Sequence, residues 1–246
     1  MDGGDGQYRR AGPAFARARG LVEGNAHVRD RTIRLRMGHT VAYGGVDLAR
    51  PMADLSERDW ARAALVAWGR GGLPAVAVEP LAAELGVTKG SFYWHFSNRA
   101  ALVLRTVELW ERLATDDVIA RLETIDDPAD RLRALFREAW DRIDFLRAEA
   151  AIGASAATGD PVVRPVYERV QSKRLDYVTR LYRELGAPRA RARRLAIAAY
   201  GAFLGSVQIV LLGAAGLRTD GELRAQVRVF DELLIPRGTD GVGGAG

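Results

Sequence analysis

Thr88, Lys89, Gly90 and Ser91 follow Gly86 by two residues and are themselves followed by the aromatic run Phe92-Tyr93-Trp94-His95-Phe96. One lysine among three small residues is a composition that lets a backbone come close to a polyanion, with the ammonium free to meet a phosphate or a base edge. A glycine between two short apolar-periodic segments suits the tight turn of a helix-turn-helix, because that turn needs a conformation which side chains disfavour. The second helix of such a unit lies in the major groove with its N-terminal residues toward the bases. Competing readings exist for each residue. Trp94 could pack rather than touch a ligand, His95 could cap a helix end, and Lys89 could be a solvated charge.

Other chemistry is poorly supported. The chain has no cysteine, which removes disulfides, thiolate metal sites and cysteine nucleophiles and fits a reducing compartment. Its three histidines, His27, His39 and His95, show no metal-ligand spacing, so neither metal nor cofactor is expected. There is no glycine-rich phosphate loop and no Ser/His/Asp grouping that helical spacing would assemble, so no enzyme is expected. The acidic pairs Asp116-Asp117 and Asp126-Asp127 sit beside expected helix ends, where Asp is common. The formal net charge is +5, and only Lys89 and Lys173 are lysines, arginine supplying the rest. A mild positive charge is compatible with nucleic acid but does not by itself indicate it.

The elements that must position the motif are helical. Ala61, Ala64, Leu65 and Trp68 recur at i, i+3, i+4 and i+7, with Ser56 as N-cap, and Gly69, Gly71, Gly72 and Pro74 close this helix. A second helix puts Val78, Leu81, Ala82 and Leu85 on one face, with Pro80 in its first turn, and stops at Gly86. A third runs from about Thr88 to Trp94. A fourth runs from Asn98 to Leu122 without Gly or Pro and should act as a stiff lever. Further helices are expected at 128–156, 160–185, 188–214 and 220–235, and no strand. Residues 1–53 hold nine glycines and nine arginines without apolar periodicity. They read as disordered: a basic arm that touches DNA or, the favoured reading, an unstructured tail or an extension ahead of a start at Met52. Residues 237–246 read as a disordered tail.

The stretch from Leu81 to Leu102, LAAELGVTKGSFYWHFSNRAAL, resembles the TetR family signature, and Tyr93-Trp94-His95 with Asn98 is similar to the tetracycline repressors. The resemblance implies an all-α fold: a three-helix helix-turn-helix DNA-binding domain at 54–101, followed by a larger helical ligand-sensing and dimerisation domain at 102–236. It implies a cytoplasmic, homodimeric repressor that a small molecule releases from a palindromic double-stranded DNA operator. The DNA contacts would come from Thr88, Lys89, Gly90, Ser91, Tyr93, Trp94, His95 and Arg99, with Tyr93 and Arg99 on phosphates and Phe92 and Phe96 in the core. Two departures stand out: Ala77 occupies a place where threonine commonly caps the second helix, and Pro80 comes early in that helix.

Within the larger domain, Trp110, Phe136, Trp140 and Tyr177, together with Phe145 and Tyr167, are candidates for an apolar ligand pocket. Ala198, Gly201, Ala202 and Gly205 form a small-residue stripe that would let helices approach closely, and with Phe230 they are the expected dimer interface. Residues Leu195 to Leu217 carry no charge and are long enough to span a bilayer, yet their glycines and alanines suit a buried helix of a soluble oligomer better. The alternative function is a helical small-molecule carrier that does not bind DNA.

Overall fold

A computed structural model of the chain describes residues 55–140, 143–213 and 220–235. The extension at 1–53 and the tail at 237–246 lie outside the described residues. Among the described residues ten α-helices follow in order: α1 (Glu57–Gly71), α2 (Val78–Glu84), α3 (Lys89–Tyr93), α4 (Arg99–Glu111), α5 (Asp117–Leu122), α6 (Pro128–Trp140), α7 (Ile143–Ala157), α8 (Val163–Glu184), α9 (Arg189–Leu211) and α10 (Asp220–Leu234). Among the described residues there is no strand. The expected helix over 128–156 is helical on both sides of residues 141 and 142, which lie outside the described residues.

The start of α1 is fixed locally. The Ser56 N–H donates to the Asp59 carboxylate at 2.9 Å, and the Ser56 hydroxyl donates to the same oxygen at 2.6 Å. This occupies a backbone donor that the first helical turn would leave bare. The inner face of α1 buries Trp60, Ala61, Ala64, Leu65 and Trp68, the face that the apolar period marks. At the other end of α2, Gly86 adopts φ +69°, while the Val87 N–H bonds the Ala82 carbonyl at 2.9 Å and the Gly86 N–H bonds Ala83 at 3.2 Å. This is a Schellman closure. A Cβ at Gly86 would meet nothing within 4 Å, so the backbone conformation, not lack of space, calls for glycine.

Two apolar cores organise the chain. The first joins Trp60, Trp68, Leu81, Phe92 and Leu102 to Phe145, Ile152, Val163 and Val170. It therefore runs from the helix-turn-helix into α7 and α8, across the boundary expected at 101–102. The approach of α1 to α7 is close: a Cβ on Gly69 would lie 3.2 Å from the Ala148 backbone nitrogen. The second core joins Val118, Leu132, Phe136 and Leu181 to Ala196, Phe203 and Phe230.

The lever expected from Asn98 to Leu122 differs in one respect. Asn98 caps it, its Oδ1 accepting from the Ala101 N–H at 3.0 Å. Between α4 and α5, however, residues Arg112–Asp116 form a π-helical turn. Neither Gly nor Pro is needed to make it. Arg174, on α8, donates from Nη2 to the Ala114 carbonyl at 3.2 Å and from Nε to the Thr115 hydroxyl at 3.0 Å. A side chain inserted against the backbone of a helix is a recognised companion of such a bulge.

Candidate DNA interface and internal cavity

The recognition helix α3 is held from beneath by its aromatic neighbours. Phe92 is fully buried, its ring 5.4 Å from Trp60 edge-on and 5.4 Å from Phe96 in a stack. Fixing these two rings inward turns the intervening residues out: Tyr93 is 57% exposed and Trp94 88%. The exposure of Trp94 removes it from the core and leaves it on the face offered to a partner. Thr88, Lys89 and Gly90 are exposed as well, and Ser91 and His95 are half-buried.

Two cations on this face are already engaged. Lys89 donates to Glu79 of α2 at 2.7 Å. That hydrogen bond holds the Lys89 ammonium above its ordinary value and the Glu79 carboxyl below its own. Arg99, expected on a phosphate, turns part of its guanidinium inward: Nε donates to the Val76 carbonyl and Nη2 to the Leu73 carbonyl, both at 2.6 Å. Arg99 thus ties the start of α4 to the connection between α1 and α2. Its Nη1 remains for an outside acceptor. Glu79 carries no sequence signal of its own, since only the folded turn brings it to Lys89.

The second feature is a cavity of about 100 Å³ between α5 to α9. Phe136, Phe145, Tyr177, Tyr200 and Phe203 supply aromatic wall. Phe136 and Tyr177 are thus on the cavity, as the aromatic pattern suggested. Trp110 is not among the lining residues; it is fully buried, stacked on Tyr167 at 6.0 Å in the first core. The side chain of Trp140 lies outside the described residues. Phe230, expected between protomers, is buried inside the chain with its ring 5.5 Å from Phe136, because both face the second core.

Polar wall comes from residues the sequence reading missed: Thr115, Glu138, Glu149 and Arg174. Arg174 pairs with Glu149 through Nη1 and Nη2, and Nη1 also donates to the Tyr200 hydroxyl at 3.1 Å. With the bonds to Thr115 and Ala114, all five guanidinium N–H groups are used. The Arg174 guanidinium also lies 5.3 Å from the Trp110 ring centroid. Glu138 is salt-bridged to the exposed Arg121. The Tyr177 hydroxyl is buried beside the Glu123 carboxylate, which is not among the lining residues. Burial raises both the Tyr177 and Tyr200 hydroxyls above their ordinary value.

Next to this cavity, α8 grips the π turn a second time. Arg169 makes a bidentate pair with Glu111, and Lys173 bridges Glu111 at 3.3 Å and Asp116 at 2.6 Å. The Arg169 hydrogen bond, more than the opposing burial, holds the Glu111 carboxyl below its ordinary value.

A capped first helix, a glycine-closed turn and a short exposed helix on an aromatic base define a helix-turn-helix DNA-binding protein of all-α architecture. Residues 62–106 match the family model of the bacterial regulatory proteins of the tetR family. These residues are therefore a DNA-binding domain of the tetR type. No curated protein matches it in sequence. Solved structures share its fold. A transcriptional regulator from Saccharomonospora viridis in complex with choline is 23% identical, covers 74% of this chain and 98% of its own, and has a TM-score of 0.64. Regulatory protein TetR from Rhodobacter sphaeroides is 23% identical over 73% of this chain and 98% of its own, with a TM-score of 0.60. The fatty acid degradation regulator FadR from Bacillus halodurans is 17% identical over 73% of this chain and 94% of its own, with a TM-score of 0.58.

Proposed function

We propose that this regulator is a cytoplasmic homodimeric repressor, not an enzyme, which leaves a palindromic operator when a small molecule enters the cavity between α5 and α9. The observation that carries this reading is Arg174. It lines the cavity and at the same time holds the π turn at the end of the helix that starts beside α3. A ligand that alters the Arg174 bonds would change the shape of that turn, and with it the direction of α4. Such a ligand must favour one shape over the other, since a ligand indifferent to shape shifts nothing.

On the DNA side, the Tyr93 hydroxyl and the free Nη1 of Arg99 are the phosphate donors, with His95 and Trp94 along the backbone. Thr88, Lys89, Gly90 and Ser91 approach base edges or the backbone at the N-terminal end of α3. On the ligand side, Phe136 and Tyr177 are joined by Thr115, Glu149, Arg174 and Tyr200. The small residues Ala198, Gly201 and Gly205 face a second copy.

The test is a gel shift with the DNA upstream of the chain's own gene, over a range of salt. Specific binding that weakens steeply with salt is expected, because phosphate contacts release counterions. Absence of binding at low salt would leave a helical small-molecule carrier in its place.

A further inference from the structure

The cavity's charge pattern says which ligand head it can take, and this deepens the reading of the cavity as an effector site, on which it rests. We infer that the occupant is a compact apolar organic cation, with Glu149 and Glu138 as its counter-charge and aromatic rings as its walls.

The cavity refuses an anion. Arg174 is the cation among its lining residues, and an anionic ligand would have to bond it. Yet its five N–H groups already end on Glu149, Tyr200, Thr115 and Ala114. An incoming carboxylate would find no open donor there and would lie against the Glu149 carboxylate. Like charges so placed in a poorly solvated space repel strongly. An anion could enter only by breaking a buried ion pair, which leaves an uncompensated charge.

What the cavity offers is the reverse. Two carboxylates, Glu138 and Glu149, line it against the one guanidinium, and the cation that pairs with Glu138, Arg121, is not among the lining residues. Each Glu149 oxygen accepts from Arg174 and keeps further lone-pair capacity for another donor. Glu138 is held by Arg121, which is 54% exposed and can turn to solvent when another cation takes its place. Phe136, Phe145 and Phe203 complete the wall. The negative faces of aromatic rings attract a desolvated cation, while their area suits its apolar body. A ligand N–H on Glu149 would compete with Arg174 for that carboxylate, and so would reach the same bonds that hold the π turn.

Three probes of nearly equal shape separate the possibilities: benzylamine, protonated at neutral pH, benzyl alcohol, and benzoate. Calorimetric titration of the full-length protein should show benzylamine binding at least tenfold tighter than benzyl alcohol, and benzoate not binding. Glu149→Gln strands Arg174 and could fail to fold, so Glu138→Gln is the informative variant. It should reduce the preference for amine over alcohol severalfold while the thermal melt stays in place. Benzoate as the tightest probe, no preference for the amine, no binding of any probe, or an unchanged preference in Glu138→Gln would overturn the inference. Operator affinity measured with each probe keeps the two readings apart. Amine that binds without changing DNA affinity supports the cation site and removes the effector role. Alcohol or benzoate that binds and releases DNA supports the effector role and removes the cation assignment.

Discussion

Tyr93 and Lys89 stand close together on α3 but make different bids for DNA. Tyr93 keeps its ring partly against Phe92, at 5.2 Å between centroids, and leaves its hydroxyl outside. Tyr93→Phe should therefore weaken operator binding by about 1.5–3 kcal/mol, the range for a hydrogen bond to a charged group, while the melting transition stays in place. An equilibrium binding titration beside a thermal melt reads both, and unchanged binding would take α3 out of the groove. Lys89 begins from a bound state, because Glu79 already holds it. DNA must compete with that carboxylate, and Glu79 adds repulsion toward phosphates. Glu79→Gln should raise operator affinity severalfold and make binding fall more steeply with salt, since one more cation is free to displace counterions. A drop in affinity would show instead that Glu79 is needed to aim Lys89. The aromatic run and Gly86 were legible in the sequence because their signals are local: a turn glycine, a capped helix, rings at helical spacing. Glu79 was not, since its meaning depends on a turn that brings residues ten apart together.

At the scale of elements, the informative contacts are those between α8 and the end of α4. Glu111 and Arg169 lie 58 residues apart, and Arg174 and Glu149 lie 25 apart. No periodicity rule connects such pairs, which is why the helices were legible in the sequence and the brace across them was not. The absence of Gly and Pro from Asn98 to Leu122 correctly implied helix throughout, but the π turn, which bonds to Arg174 on another helix, carries no such local signal. The same separation hid the polar wall of the cavity, although Phe136 and Tyr177 were marked as aromatic residues of the middle helices. The Glu111 cluster has a consequence for pH. Its carboxyl is held below the usual 4.5, so its stabilising contribution is fully present above that value. It is lost as pH falls through the lowered folded value, because the unfolded chain then takes up the proton first. Urea unfolding from neutral pH down to about pH 3 should show this loss in the wild type. Glu111→Gln should begin less stable at neutral pH and lose less on acidification. Parallel losses in both proteins would place the acid sensitivity in other carboxylates.

For the whole molecule, the question is what covers the outer face of α9. Its inner face, Ala192, Ala196, Ala199, Phe203 and Val207, is buried in the chain. The opposite face exposes Ile197 at 53%, Ile209 at 46% and, just past the helix, Leu212 at 77%, with Ala198, Gly201, Ala202 and Gly205 exposed between them. Val229 and Leu233 of α10 are exposed at 42% and 76%. By length and composition α9 could cross a bilayer, but one side of it packs on the chain's own core, and the apolar rows on the other side match the contact of a helical dimer. Two-fold DNA half-sites about 34–36 Å apart require a two-fold protein, so this face is where the second copy should dock. The glycines make the idea testable. A Cβ at Gly201 or Gly205 would meet nothing within 4 Å in the single chain. A side chain at Gly205 can therefore leave the backbone without meeting its own protomer, and the exposed position puts a large one toward a neighbour on α9. Gly205→Trp should keep the far-ultraviolet signature of the helices and the Tyr93-side fold, yet sediment as a monomer at concentrations where the wild type is a dimer, since overpacking a tight contact is costly. Operator affinity should fall with the dimer, because a monomer reaches only one half-site. A mutant that remains a dimer, or a wild type that is monomeric at micromolar concentration, would move the interface away from this face.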